Sequence, residues 1–147
     1  MAETNKQSKN IWIVKPGEAT NRGYGISVSD TVEGVKGLVD GNKQKRTFIV
    51  QKYLERPLLY KNRKFDLRCY ILITVYNGIL KGYWFSEGYV RTSSKEYTLK
   101  NLDNKFIHLT NDCVQRKGEE YGRFETGNKV SFADFMKYLD ATYKINF

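Results

Sequence analysis

Cysteine, proline and histidine are scarce in this 147-residue chain, with two, two and one of them respectively. Cys69 and Cys113 lie far apart, and neither belongs to a CxxC pair. A single histidine cannot complete a zinc site with them. The expectation is two reduced, buried thiols in an intracellular protein, with no metal centre in the chain. A run of about twenty apolar residues is also missing, so no membrane span is expected. Residues 1–10 are polar, lack the apolar core of a signal peptide, and are expected to form a disordered lead-in. Negative charge is the other shortage: 16 acidic residues face 25 basic ones, a net charge of +9. That balance suits an acidic partner, namely nucleic acid, an anionic membrane, a nucleotide or an acidic peptide. The basic residues are scattered through the chain, which argues against a polybasic arm.

Aromatic residues are abundant, with eleven Tyr and eight Phe, and can build a core for one compact domain. Ile11-Trp12-Ile13-Val14 is a short apolar run ending at Lys15-Pro16 and reads as a strand. A glycine-punctuated loop, 17–25, leads back into Ile26-Ser27-Val28, making a hairpin. A weak helix is expected over 31–40, with Asp30 as its N-cap. A basic loop, 41–46, precedes a strand over 47–51. A strand starting at Lys64 is expected to run to about Val75 and to turn at Asn77-Gly78, a strong hairpin signal, before Ile79–Phe85 pairs back on it. Further strand character is expected at 88–91 and a short apolar segment at 106–109. Ser131 caps a final helix whose Phe132, Phe135, Met136, Leu139 and Tyr143 share one face, with Asp134 near the positive end of the dipole.

Lys64-Phe65-Asp66-Leu67-Arg68 is the most informative segment. In a strand, alternate side chains share a face. Lys64, Asp66 and Arg68 therefore point one way, while Phe65, Leu67, Cys69, Ile71, Ile73 and Val75 point into a core. Arg68, Arg91 and Lys64 can hold phosphate and carboxylate oxygens through charge-assisted bonds, and Asp66 can accept a ribose hydroxyl or orient a cation. A surface ion-pair cluster would account for the same residues.

Three other segments carry candidate chemistry. Lys15 to Gly25, with Arg22, Gly23 and Gly25, combines cations with glycines that let backbone N–H groups approach an anion. It is neither a Walker A loop nor a dinucleotide fingerprint, and an ordinary hairpin loop would explain it as well. Gln51-Lys52-Tyr53-Leu54-Glu55 could offer backbone groups to an adenine edge or be plain structure. His108-Leu109-Thr110-Asn111 places Thr and Asn where ribose or phosphate bonding is feasible; a lone His is more often structural than catalytic.

Taken in order, IWIVKPGEATNRGYGI, FIVQKYLERPLLYKNRKFDLRCYILIT, GYVRTSSKEYTL, FIHLTNDCVQ and YGRFETGNKVSF resemble the tubulin–tyrosine ligase family, with its polyglutamylase and glycylase branches. The resemblance covers residue 11 to about residue 139. It implies an α+β, ATP-grasp-like fold, an antiparallel or mixed sheet with flanking helices, spanning 11–147 as an incomplete domain. It implies an ATP-dependent ligase that adds Tyr, Glu or Gly to acidic tubulin tails through an acyl phosphate. Lys15 would hold the nucleotide phosphates, with Arg22, Gly23 and Gly25 in a lid. Gln51, Lys52 and Leu54 would line the adenine pocket. Lys64 and Asp66 would contact nucleotide or tail, Thr110 and Asn111 ribose and phosphate. Arg68 and Arg91 would stabilise the transferring phosphoryl and acyl oxygens.

Mg2+ is implied as well, with its ligands expected beyond residue 147, so that this chain alone is expected to be inactive. Its expected partners are tubulin C-terminal tails, microtubules and a free amino acid, with no nucleic acid and no membrane. The expected places are the cytoplasm and cytoskeleton, including cilium or basal body. A non-catalytic module binding ATP and tubulin tails is the alternative. A single-stranded nucleic-acid binder gives no reason for Lys-Phe-Asp-Leu-Arg at its place. Residues 121–132 look closest to the tyrosine ligase and 15–25 to the glycylase and glutamylase branches, which leaves the amino acid open.

Overall fold

The computed structural model describes residues 9–18, 22–41 and 47–145. Most of the expected lead-in (1–8) and most of the basic loop (42–46) lie outside the described residues. Among the described residues, three antiparallel sheets and four α-helices make a mixed α+β architecture. β1 (Trp12–Pro16) is flanked by β2 (Ser27–Ser29) and β3 (Phe48–Lys52). α1 (Val32–Asp40) follows β2. Its N-cap is Thr31, whose hydroxyl accepts from the Gly34 N–H at 3.0 Å. The expected cap, Asp30, is therefore one residue early; the Thr hydroxyl sits where it can reach the third amide of the first turn.

The second sheet has the order β4 (Arg63–Arg68), β7 (Tyr89–Glu96), β8 (Lys129–Ser131). β5 (Ile71–Tyr76) and β6 (Ile79–Trp84) form a separate hairpin. The expected single strand from Lys64 to Val75 is thus two strands, broken at Cys69-Tyr70. Alternation of side chains continues across that break in the sequence, so the pattern carries no mark of it. The turn at Asn77-Gly78 is as expected. Both residues are left-handed, with φ of 46° and 74°, as a type I′ hairpin requires.

Two apolar clusters anchor these sheets. Ile11, Ile13, Val28, Tyr53 and Leu109 form the first; Tyr60, Val90, Val130, Phe135 and Leu139 form the second. α4 (Phe132–Tyr143) packs on the second cluster. Ser131 caps it by accepting from the Asp134 N–H at 3.1 Å. Phe135 and Leu139 are buried as expected, whereas Met136 and Tyr143 at the edges of the stripe are exposed. α2 (Lys105–His108) occupies the expected apolar segment, and α3 (Asp112–Gln115) follows it. No helix among the described residues is long and apolar enough to cross a membrane.

The core-facing expectation for the charged strand is corrected beyond Phe65. Phe65 packs edge-on against Phe135, with ring centroids 4.8 Å apart. Leu67, at the end of β4, is exposed, as are Ile71, Ile73 and Val75; among the described residues β5 pairs only with β6, and every residue of those two strands is exposed. Cys69 is half-buried and Cys113 exposed, against the expectation that both are buried; both are free thiols.

Candidate functional site

Pairing between β1 and β3 sets one wall of the site. Ile13 lies opposite Gln51 and Lys15 opposite Ile49. Cross-strand partners share a face, so Lys15 and Gln51 project together, and Lys15 Nζ donates to Gln51 Oε1 at 2.7 Å. Trp12 and Lys52 are likewise paired and project from the opposite face. There the Lys52 ammonium lies 5.4 Å from the Trp12 ring and bonds Glu55 at 2.9 Å. Gln51 and Lys52 therefore cannot line one pocket with both side chains; only the backbone of Lys52 is available on the Gln51 side. Tyr53 prolongs β3 by one residue, donating its N–H to the Ile11 carbonyl at 2.9 Å.

β4 supplies the other wall. Lys64 Nζ donates to the Tyr53 hydroxyl at 3.0 Å and stands 4.3 Å from that ring's centroid. Burial, then the Lys15 charge, lowers its pKa to about 8, with Asp66 opposing. Asp66 lies opposite Arg91 in the β4–β7 register. It accepts from Arg91 Nε and Nη2 at 2.8 Å each, the planar two-point geometry of a guanidinium on a carboxylate. The bonding to Asp66 raises the Arg91 pKa further. Thr110 also donates its hydroxyl to Asp66.

Asn111, next in sequence, caps α3 by accepting from the Cys113 N–H at 2.9 Å. The described end of the glycine loop rests here. Gly23 has φ of 79°, and a Cβ built on it would lie 2.7 Å from Val114 Cγ2 and 3.8 Å from Asn111 Cβ, so only glycine fits this close seat on α3. Arg22 and Gly25 are also left-handed, with φ of 59° and 72°. Residues 19–21 of the loop lie outside the described residues.

The fold thus brings Lys15, Gln51, Lys64, Asp66, Arg91 and Thr110 together and sets Asn111 and Gly23 at their margin. Arg68 is exposed at the end of β4, opposite Tyr89; with Arg91 it acts electrostatically on the Tyr70 hydroxyl. Leu54 is 75% exposed in the turn after β3 and stands apart from the cluster. A cleft of about 630 Å³ shares only Arg22 and Gly23 with the expected site residues. It lies on the α3 side of the glycine loop and is lined by Tyr24, Lys117 and Glu120.

Sequence reasoning gave Tyr53 no role of its own and read His108 as structural. Tyr53 accepts from Lys64, and its hydroxyl is 2.8 Å from His108 Nδ1. The signal available for Tyr53 was its place two residues after Gln51, on the same strand face. Among the described residues, no group of three or more His, Cys, Asp or Glu side chains is placed to hold a metal ion.

Tubulin glycylase 3D of Tetrahymena thermophila is 42% identical over 120 residues, 82% of this chain and 11% of the relative. The human tubulin monoglycylase TTLL3 is 45% identical over 111 residues, 74% of this chain and 14% of the relative. The Tetrahymena thermophila protein named "Probable alpha-tubulin polyglutamylase Ttll1" is 33% identical over 151 residues, 96% of this chain and 36% of the relative. The chain therefore spans between about a tenth and about a third of the length of these relatives. The sequence model of the tubulin-tyrosine ligase family matches residues 1–146, and the chain belongs to that family.

Proposed function

We propose that this chain is the nucleotide- and tail-binding part of an ATP-dependent carboxylate–amine ligase acting on acidic tubulin tails, with an ATP-grasp arrangement of its two larger sheets. The observation that carries the reading is the convergence of Lys15, Lys64 and Arg91 around Asp66, a carboxylate already neutralised by Arg91. Such a site is poor in free negative charge, and Lys64 is held short of its ordinary basicity until an anion approaches. Anion binding would restore its proton affinity.

In the reaction, a tail carboxylate oxygen attacks the γ-phosphorus of ATP and the bond to ADP breaks, giving an acyl phosphate. The amine of a free amino acid then attacks the acyl carbon, inorganic phosphate leaves, and the nitrogen loses a proton to form the amide. Lys15 and Lys64 would hold phosphate oxygens. Arg68 and Arg91 would offset charge on the phosphoryl and acyl oxygens, where preorganised cations act most strongly. Gln51, with the backbone at Lys52 and Leu54, would meet the adenine, and Thr110 and Asn111 the ribose and phosphate. Arg22, Gly23 and Gly25 would belong to a lid that keeps water from the acyl phosphate. The described residues do not form a Mg2+ cage, so no step is assigned to that ion here. The names of the two glycylase relatives favour glycine as the added amino acid, and tubulin as acceptor favours a cytoskeletal place of action, cilium included.

Calorimetric titration of the chain with ATP tests the reading. Lys15→Ala is expected to weaken binding at least about tenfold, the range for losing a charge-assisted bond. No ATP binding by the unaltered chain would overturn it. A non-catalytic binding module is the second reading, favoured by the complete engagement of Asp66 with Arg91 and Thr110. Incorporation of labelled glycine into a tail peptide with ATP, lost on Arg91→Ala, would exclude that module.

A further inference from the structure

Behind the site, three side chains and one carbonyl are joined in series. His108 is 2% exposed. Its Nε2 is 2.8 Å from the Asn101 carbonyl oxygen and its Nδ1 2.8 Å from the Tyr53 hydroxyl. A carbonyl can only accept, so Nε2 carries the proton and Nδ1 of the neutral ring is bare. Burial, aided by the Lys64 charge and opposed by the Asn101 carbonyl, depresses the His108 pKa and keeps the ring neutral. Nδ1 must then accept from the Tyr53 hydroxyl. That donation turns the lone pairs of the Tyr53 oxygen toward Lys64, whose ammonium donates to it at 3.0 Å. Burial pushes the Tyr53 phenol up, so it stays protonated and able to donate. The direction of every bond is therefore determined: Lys64 donates to Tyr53, Tyr53 to His108, and His108 to Asn101.

We propose that Tyr53 and His108 are positioning residues for Lys64: the Asn101 carbonyl sets the tautomer of His108, that ring orients the Tyr53 hydroxyl, and the hydroxyl oxygen holds the ammonium at the anion-binding face. The proposal rests on the nucleotide reading of the site. The charged and titratable groups facing this series are Lys15 on β1, Asp66 on β4 and Tyr97 beyond β7, with Glu55 acting on Tyr97. Lys15 repels the ammonium and Asp66 attracts it. Without the Tyr53 oxygen, Lys64 would swing toward Asp66 or solvent, and either move makes it more basic.

The test follows the Lys64 side-chain Cε resonance against pH in the ligand-free chain, assigned with Lys64→Gln, together with ATP affinity by calorimetry. In the unaltered chain the midpoint is expected near 8. Tyr53→Phe keeps the ring and loses only the oxygen; the midpoint is expected to rise by about one pH unit or more, and ATP affinity to fall roughly tenfold. The two His108 variants separate positioning from packing. In His108→Gln the amide nitrogen can replace Nε2 but the Nδ1 acceptor is lost, so the variant should behave like Tyr53→Phe. In His108→Asn the amide oxygen can replace Nδ1, so the midpoint and the affinity should return toward those of the unaltered chain. A Lys64 midpoint unchanged or lowered in Tyr53→Phe would overturn the proposal, as would equal shifts in the two His108 variants. Failure of the nucleotide reading shows separately, as absence of ATP binding by the unaltered chain, while the ligand-free titration still decides the positioning role.

Discussion

β7 and the β5–β6 hairpin invert the usual relation between polarity and burial. Thr92, Ser93 and Ser94 on β7 are 0–1% exposed, whereas Ile71, Ile73, Val75 and Leu80 on the hairpin are 62–68% exposed. The polar strand can be buried because its buried side chains find partners. Ser94 donates to Gln115 Oε1 at 2.6 Å, and the Asn128 amide donates to the Thr92 carbonyl at 3.1 Å and to Ser94 at 2.9 Å. Arg63, 1% exposed, donates to the Ser93 carbonyl at 3.2 Å and to Glu125 Oε2 at 2.9 Å. Among the described residues no buried side-chain nitrogen or oxygen lacks a partner. One face of the hairpin is wholly apolar, with Ile71, Ile73, Val75, Leu80 and Trp84, yet among the described residues the hairpin pairs only with itself. Burial is thus decided by what the rest of the fold brings to a segment, not by the segment's own polarity.

The largest expected effect breaks the buried polar side of this contrast. Arg63→Met leaves Glu125, whose side chain is only 11% exposed, without its cation. Removing one partner of a buried pair destabilises by about 3–5 kcal/mol, and urea denaturation should read that loss. Replacing Arg63 and Glu125 together by apolar residues should recover much of it.

A smaller effect comes from the half-buried Lys64. Its pKa falls from 10.5 to about 8 on folding, so the unfolded chain binds the proton more tightly. The penalty is fully present below about pH 8 and is relieved as pH rises toward 10.5. That span corresponds to at most roughly 3 kcal/mol. The stability of the unaltered chain relative to Lys64→Met should therefore rise between pH 7.5 and 10; a difference that stays flat with pH would contradict the burial of this lysine. The smallest effect is on the hairpin. Ile73→Thr, at a position 62% exposed, should change the folding stability of this chain by no more than about 0.5 kcal/mol. A loss near 2 kcal/mol would mean that the hairpin is covered, and would remove the contrast.

Much of the local structure was legible. The β1–β2 hairpin, the Asn77-Gly78 turn and the Ser131-capped helix follow from apolar runs, left-handed turn residues and a hydroxyl cap, all local effects. Alternation placed Lys64 and Asp66 on one face and Phe65 on the other, and both placements hold. The break at Cys69-Tyr70 was not legible, since the alternating pattern runs on through it. Strand periodicity by itself implies that the Lys52 side chain leaves the Gln51 face.

At the site, the residue types were readable but their bonding was not. Asp66 is 25 residues from Arg91 and 44 from Thr110, and Tyr53 is 55 from His108. No short-range rule pairs side chains so far apart in the chain. The sequence by itself determined the β1–β2 hairpin, the Asn77-Gly78 turn, the Ser131 cap and the order of motifs that marks the family, because these depend on neighbours along the chain. Only the tertiary structure decided that Asp66 is held by Arg91 and Thr110, that Lys64 leans on Tyr53, and that polar β7 is buried while the apolar hairpin is not. Those outcomes depend on distant segments meeting, and on each buried polar group finding its partner there.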